Sequence, residues 1–179
     1  MTSQDVILGI LMNQSSAGYD IKRLLETVFS YFYNASFGTI YPMLAKMEQQ
    51  GLITKESIIQ EGKPNKHVYT ITEEGRRQFR EYLNSELQPE EIKSDFMVRL
   101  YFGGLADREH VSEWLSKAID KTTRTLQSLE DIYGRLKDKK SATQIICVRL
   151  GIESCKARLK VLNEGLNDIK ALDGELEKE

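Results

Sequence analysis

Ser36, Thr39, Lys46 and Gln49 fall opposite a stripe of apolar residues, Ile40, Leu44 and Met47, that repeats in helical steps of four and three. Hydroxyl, amide and ammonium groups on one helix face are the side chains that bond to phosphate oxygens and base edges. Further along, Lys63, Lys66 and His67 place two fixed charges and one titratable ring in a short polar stretch suited to phosphate contact. Polar helix faces also serve simply as solvated faces, and residues 1–85 hold 9 Lys+Arg against 9 Asp+Glu. Residue chemistry alone therefore leaves nucleic-acid contact and plain solvation both open.

Other chemistry is poorly supplied. The histidines are His67 and His110, far apart in sequence, with no recognisable nucleophile, phosphate loop or metal cluster beside them. The assembly that general acid–base work requires is not evident, so the expectation is no enzyme, no metal and no cofactor. Cys147 and Cys155 lie in a periodic helical segment without companion ligands, which favours buried thiols along an inner stripe over a redox switch. With 179 residues, 25 Lys+Arg and 27 Asp+Glu, the chain carries a net charge of -2, which excludes a uniformly basic coat and leaves only a local basic patch. No apolar run approaches the roughly 20 residues of a bilayer span. The start, Met1-Thr2-Ser3-Gln4-Asp5, lacks the features of a secretion signal. A cytoplasmic protein with no membrane partner is expected.

The elements that must position these residues divide near Pro89. Before it, Val6, Ile7, Leu8, Ile10 and Leu11 predict a short buried helix capped by Thr2 or Ser3, broken over Asn13–Ser16. Ile21, Leu24, Leu25 and Val28 predict a one-sided second helix. The Ile40–Leu44–Met47 stripe gives a third that ends at Gly51, a residue suited to a left-handed cap. Pro42 belongs in a first turn, so pattern alone starts this helix at Tyr41. Strands are predicted over Ile53–Gln60 and His67–Thr72, joined by a basic tip, and Thr72 caps a fourth helix with Phe79, Tyr82 and Leu83 on its inner side. Three helices, a hairpin and a helix make the winged variant of the helix-turn-helix, whose third helix enters the major groove while the hairpin reaches an adjacent groove or the backbone.

Within that order stand Gly18-Tyr19-Asp20-Ile21, Gly38-Thr39-Ile40-Tyr41-Pro42-Met43-Leu44, Met47-Glu48-Gln49-Gln50-Gly51-Leu52-Ile53, Gly62-Lys63-Pro64 and Tyr69-Thr70-Ile71-Thr72-Glu73-Glu74-Gly75. The set resembles the PadR family of transcriptional regulators. Ile92–Phe102 is similar to the segment that opens the C-terminal helical domain in the PadR/AphA-like subgroup. The resemblance implies a recognition helix that begins near Ser36, with the proline inside it. Carried over, Ser36, Phe37, Gly38 and Thr39 occupy the turns that meet DNA, Tyr41 is a backbone contact or else packs against the wing, and Lys63 and Lys66 match basic wing positions. Phe37 and Gly38 stand where relatives can carry polar side chains, so base readout falls to Thr39, to apolar contact by Phe37 or to close backbone approach at Gly38.

In the rear half, Val111, Leu115, Ala118, Thr122, Leu126, Leu129, Tyr133 and Leu136 predict one long helix. A second begins near Ala142 and carries Ile145, Val148, Ile152, Cys155, Leu159, Leu162, Leu166 and Ile169. Seams this long call for pairing with each other and with a second copy, so a homodimer is expected, with a roughly palindromic operator on double-stranded promoter DNA. The expected architecture is mainly α with a small β-hairpin: residues 1–88 a winged helix-turn-helix DNA-binding domain, residues 89–179 a long-helix dimerisation domain. Phe96, Met97, Tyr101, Phe102 and Trp114 read either as core or as a pocket for a small apolar effector. The resemblance implies a regulator, most often a repressor, that occupies an operator and in many relatives answers to a small aromatic or phenolic molecule. The alternative is a winged-helix adapter that binds proteins without specific DNA binding.

Overall fold

The computed structural model of the chain describes residues 1–29, 33, 40–59, 65–89, 92–136 and 141–176, with side chains through residue 171 in the last helix. The chain divides into two compact units, Met1–Glu90 and Glu91–Glu179.

In the first unit, α1 spans Ser3–Leu11. The Thr2 hydroxyl accepts from the Asp5 backbone N–H, while the Asp5 carboxylate accepts from the Thr2 N–H at 2.7 Å, so two of the donors a helix start leaves open are satisfied reciprocally. Strand β1 is only Ser16–Ala17, and it leads directly into α2 at Gly18–Thr27. The described part of α3 is Ile40–Gln49. It ends where Gly51 adopts φ +71°, the left-handed conformation the sequence anticipates. Strands β2 (Ile53–Ile58) and β3 (Lys66–Ile71) pair antiparallel from Ile53 opposite Ile71 to Ile58 opposite Lys66. The expected hairpin is present as β2 and β3, and among the described residues β1 adds a third strand, giving the order β1-β3-β2. Ser16, the last residue of the predicted break, lies opposite Tyr69, and Ala17, read as the start of the second helix, lies opposite Val68. Two residues are too few to show an alternation. Strand β3 runs one residue earlier at each end than predicted, and β2 ends at Ile58, while the predicted end at Gln60 lies outside the described residues.

The core of this unit is closed by Ile7, Leu8 and Leu11 of α1, Ile21 and Leu25 of α2, Leu44 and Met47 of α3, and Ile53, all essentially inaccessible. Burying each such side chain is worth about 1.5–3 kcal/mol. Helix α4, Glu73–Asn84, starts on the Thr72 hydroxyl, which accepts the Gly75 N–H at 3.1 Å and donates to the Gly51 carbonyl at 2.7 Å. Gly75 lies so close that a Cβ there would stand 2.2 Å from the Leu52 carbonyl oxygen. Phe79 packs on the core, but Leu83 is 62% exposed, contrary to the inward side expected for it. It lies in the last turn of α4.

In the second unit, α5 (Asp95–Tyr101) is capped by the Ser94 side chain and followed by a 3-10 turn at Gly103–Leu105. Helices α6 (Arg108–Leu136) and α7 (Ala142–Leu176) carry the long stripes. Val111 and Leu115 near the start of α6 share a cluster with Leu162, Leu166 and Ile169 near the end of α7, so the two helices run antiparallel. At about 1.5 Å per residue, the 35 residues of α7 extend to roughly 52 Å. Ile132, which the expected stripe omits, is buried. Cys155 is buried as expected, but Cys147 is exposed because Val148, its neighbour, takes the inward position. No helix among the described residues is long and apolar enough to cross a membrane.

Candidate nucleic-acid interface

Helix α3 is anchored by Ile40, Leu44 and Met47, all buried, and this fixes which side faces out. Tyr41, Lys46 and Gln49 are on that exposed side. The Tyr41 ring edge rests on α2, where a Cβ on Gly18 would stand 2.9 Å from its Cε1 atom; only glycine allows that approach. Tyr41 still keeps 53% of its surface open, so packing and a phosphate contact are compatible. Ser36, Phe37, Gly38 and Thr39, the positions expected to read bases, lie outside the described residues, as does Lys63.

The wing is clearest at β3. Successive strand residues point to opposite faces, so Lys66 and His67, grouped by the sequence, are separated by the sheet. His67 shares its face with buried Tyr69 and Ile71, and its Nδ1 lies 2.9 Å from the Ser57 hydroxyl directly across in β2. Lys66 is on the other face with Thr70. Its Nζ is 5.4 Å from the centroid of the Tyr19 ring, and no carboxylate among the described residues pairs with it. Lys55 in β2 differs: its ammonium is 3.0 Å from the Glu48 carboxylate of α3. A hydrogen bond from Lys55 to Glu48 and the attraction between them hold the lysine above its usual pKa. That pair ties α3 to the wing across the glycine turn.

The sequence reading missed both Tyr19 and the Glu48–Lys55 pair. Tyr19 stands in a quoted motif, yet only the β1–β3 register brings it to Lys66. Glu48 and Lys55 are seven residues apart across a glycine turn, a spacing that signals nothing without the turn geometry.

In the second unit, Phe96 and Trp114 meet in one cluster with Leu100 and Ile119, whereas Met97 and Tyr101 are 51% and 84% exposed. The four expected effector residues do not converge within one chain. Arg99 lies over Trp114, 5.8 Å from the ring centroid, and Arg158 over Phe96 at 5.5 Å. His110 is exposed, with Nδ1 3.5 Å from the Asp107 carboxylate. Among the described residues, no three His, Cys, Asp or Glu side chains gather as a metal site.

Three helices, a wing and an anchored third helix with an outward polar face define a winged-helix DNA-binding protein. The chain belongs to the PadR-like family of transcriptional regulators: residues 7–81 match the "Transcriptional regulator PadR-like family" and residues 92–170 match "Virulence activator alpha C-term". It is 31% identical over 131 residues to the negative transcriptional regulator PadR of Bacillus subtilis (strain 168), covering 73% of this chain and 72% of that one. It is similar in structure to smu.1604c from Streptococcus mutans UA159 (38% identity, TM-score 0.89, 93% of this chain and 99% of that one). Bacillus subtilis PadR in complex with operator DNA superposes with TM-score 0.74 at 28% identity, over 93% of this chain and 98% of that one. The same relative in complex with p-coumaric acid gives TM-score 0.67 at 25% identity, over 93% and 98% of the two chains. Its relatives are regulators of a non-enzymatic family, and this chain is a regulator as well.

Proposed function

We propose that the protein is a homodimeric repressor that occupies a roughly palindromic promoter operator and is released by a small aromatic or phenolic effector. The observation that carries the reading is α3, anchored on its inner stripe with Tyr41, Lys46 and Gln49 outward beside a wing that carries Lys66 and His67 on opposite faces. A wing laid into a groove has phosphates on either side, so opposite faces suit such a contact. Ser36, Phe37, Gly38 and Thr39 are assigned to the turns that enter the major groove, with Lys63 at the wing tip. The operator complex and the repressor name of the Bacillus subtilis relative support the reading.

Dimerisation is supported by apolar surface that one chain leaves open in the second unit: Val98, Tyr101, Phe102 and Leu105 around α5, and Ile146 and Leu150 one turn apart on α7. A second copy is the partner that covers such a surface by symmetry, and it sets two recognition helices one or two helical turns apart, near 34 Å per turn. The effector reading rests on Phe96 and Trp114, with Met97 and Tyr101 completing a site only once a partner surface closes over them; the p-coumaric acid complex of the Bacillus subtilis relative supports that ligand class. Such a ligand acts only through different affinity for the DNA-competent and incompetent states.

The test is binding to the DNA upstream of the protein's own gene at several salt concentrations with excess mixed-sequence DNA. Tight, salt-sensitive, sequence-selective binding that p-coumaric acid or a related phenolic acid weakens is the expected result. Weak binding, equal on all DNA, would overturn the repressor reading in favour of a protein-binding adapter.

A further inference from the structure

We propose that Tyr19 is a positioning residue for Lys66, its ring holding the lysine ammonium over the outer face of the wing, aimed at a DNA phosphate; the inference rests on the operator-binding reading. The β1–β3 register makes the juxtaposition. Ser15 bonds Thr70 at 2.7 Å, Ser16 is opposite Tyr69 and Ala17 opposite Val68, and continuing that antiparallel order brings Tyr19 beside Lys66. The two-residue strand thus has a purpose its length does not announce: it fixes the first turn of α2 against the base of the wing. The Lys66 Nζ lies 5.4 Å from the Tyr19 ring centroid, within cation–π range.

Tyr19 is 53% exposed, so its ring is not held there by a core. Lys66 has no carboxylate partner among the described residues, whereas nearby Lys55 is held by Glu48. An aromatic face neutralises no charge. It restricts a long flexible side chain while leaving its three donors free for an anion, so less rotamer freedom is lost when phosphate binds. A carboxylate in the same place would compete with the phosphate for those donors.

The experiment compares wild type, Tyr19→Phe, Tyr19→Leu, Lys66→Ala and the Tyr19→Leu/Lys66→Ala double variant, titrating a duplex enriched by the wild-type protein from a random-sequence pool. Circular dichroism melts check that each variant folds. Tyr19→Phe keeps the ring and should bind within about twofold of wild type. Tyr19→Leu should weaken binding about two- to fivefold per half-site with the salt slope unchanged, because the charge remains. Lys66→Ala should flatten the slope, and in that background Tyr19→Leu should cost less than about twofold. Equal losses from Tyr19→Leu in both backgrounds, no loss at all, or a loss on Tyr19→Phe matching that on Tyr19→Leu would overturn the positioning role. A wild-type protein that enriches no duplex would overturn the operator-binding reading, and this inference with it.

Discussion

Lys55 and Lys66 sit on adjacent strands of one wing and differ in what they are free to do. Glu48 holds the first, while the second, among the described residues, meets an aromatic face and no carboxylate. Replacing Lys66 with Ala should therefore weaken binding similarly on every sequence and reduce the salt slope by about one per head, as loss of a phosphate contact does. An unchanged slope in salt titrations would take Lys66 off the interface. Tyr69 offers a second test at this scale. Burial raises its phenol above the ordinary value near 10, an effect that nearby Lys55 partly offsets. The folded protein then holds this proton more tightly than the unfolded chain does. The contribution is full below about pH 10 and is lost as pH rises through the higher folded value. Thermal melts between about pH 9 and pH 11 should show a smaller alkaline loss for Tyr69→Phe than for wild type; equal losses would mean that another group governs that limb.

Among the elements, those with a long period were legible in the sequence, and those defined by contact were not. The α3 stripe, the Gly51 cap, the Thr72 cap and both long helices follow from spacing and cap chemistry, which are local. Strand β1 has no period to read, and Leu83 continues the apolar pattern of α4 at a position the fold leaves exposed. Cys147 misled for a related reason: one residue's rotation on α7 separates the inner stripe from solvent. The site divides the same way, since motif and residue chemistry single out Tyr41, Lys66 and His67, but only helix packing at Gly18 and the strand register reveal what lies beside them. Gly75 shows the energetic side of such hidden contacts. A Cβ there meets the Leu52 carbonyl at 2.2 Å and Ile71 at 2.9 Å, whereas one at Gly51 meets nothing within 4 Å and suffers only the strain of φ +71°. Denaturant melts should therefore rank Gly75→Ala, at about 3 kcal/mol or more of lost stability, below Gly51→Ala, at about 1 kcal/mol. The reverse order would mean that α4 does not sit this tightly on the end of α3.

For the whole molecule, the decisive quantity is how much apolar surface a single chain leaves uncovered. Ile146 and Leu150, 57% and 64% exposed and four residues apart, lie on α7 away from the stripe that α6 covers. In an isolated chain, glutamate at either place is a surface substitution and should leave the fold intact, since neither side chain belongs to the core. In a dimer that closes over this face, an Ile146→Glu/Leu150→Glu variant would bury two like charges on each protomer, each costing several kcal/mol unless paired. The expected outcome in analytical ultracentrifugation is a wild-type dimer and a folded, monomeric variant. Operator affinity should fall with it, because one head retains its phosphate contacts but loses the effective concentration that a linked second head supplies. The fall should be steeper on a two-half-site duplex than on a single half-site. A variant that still sediments as a dimer would move the interface off this face of α7, toward the exposed Tyr101, Phe102 and Leu105 around α5.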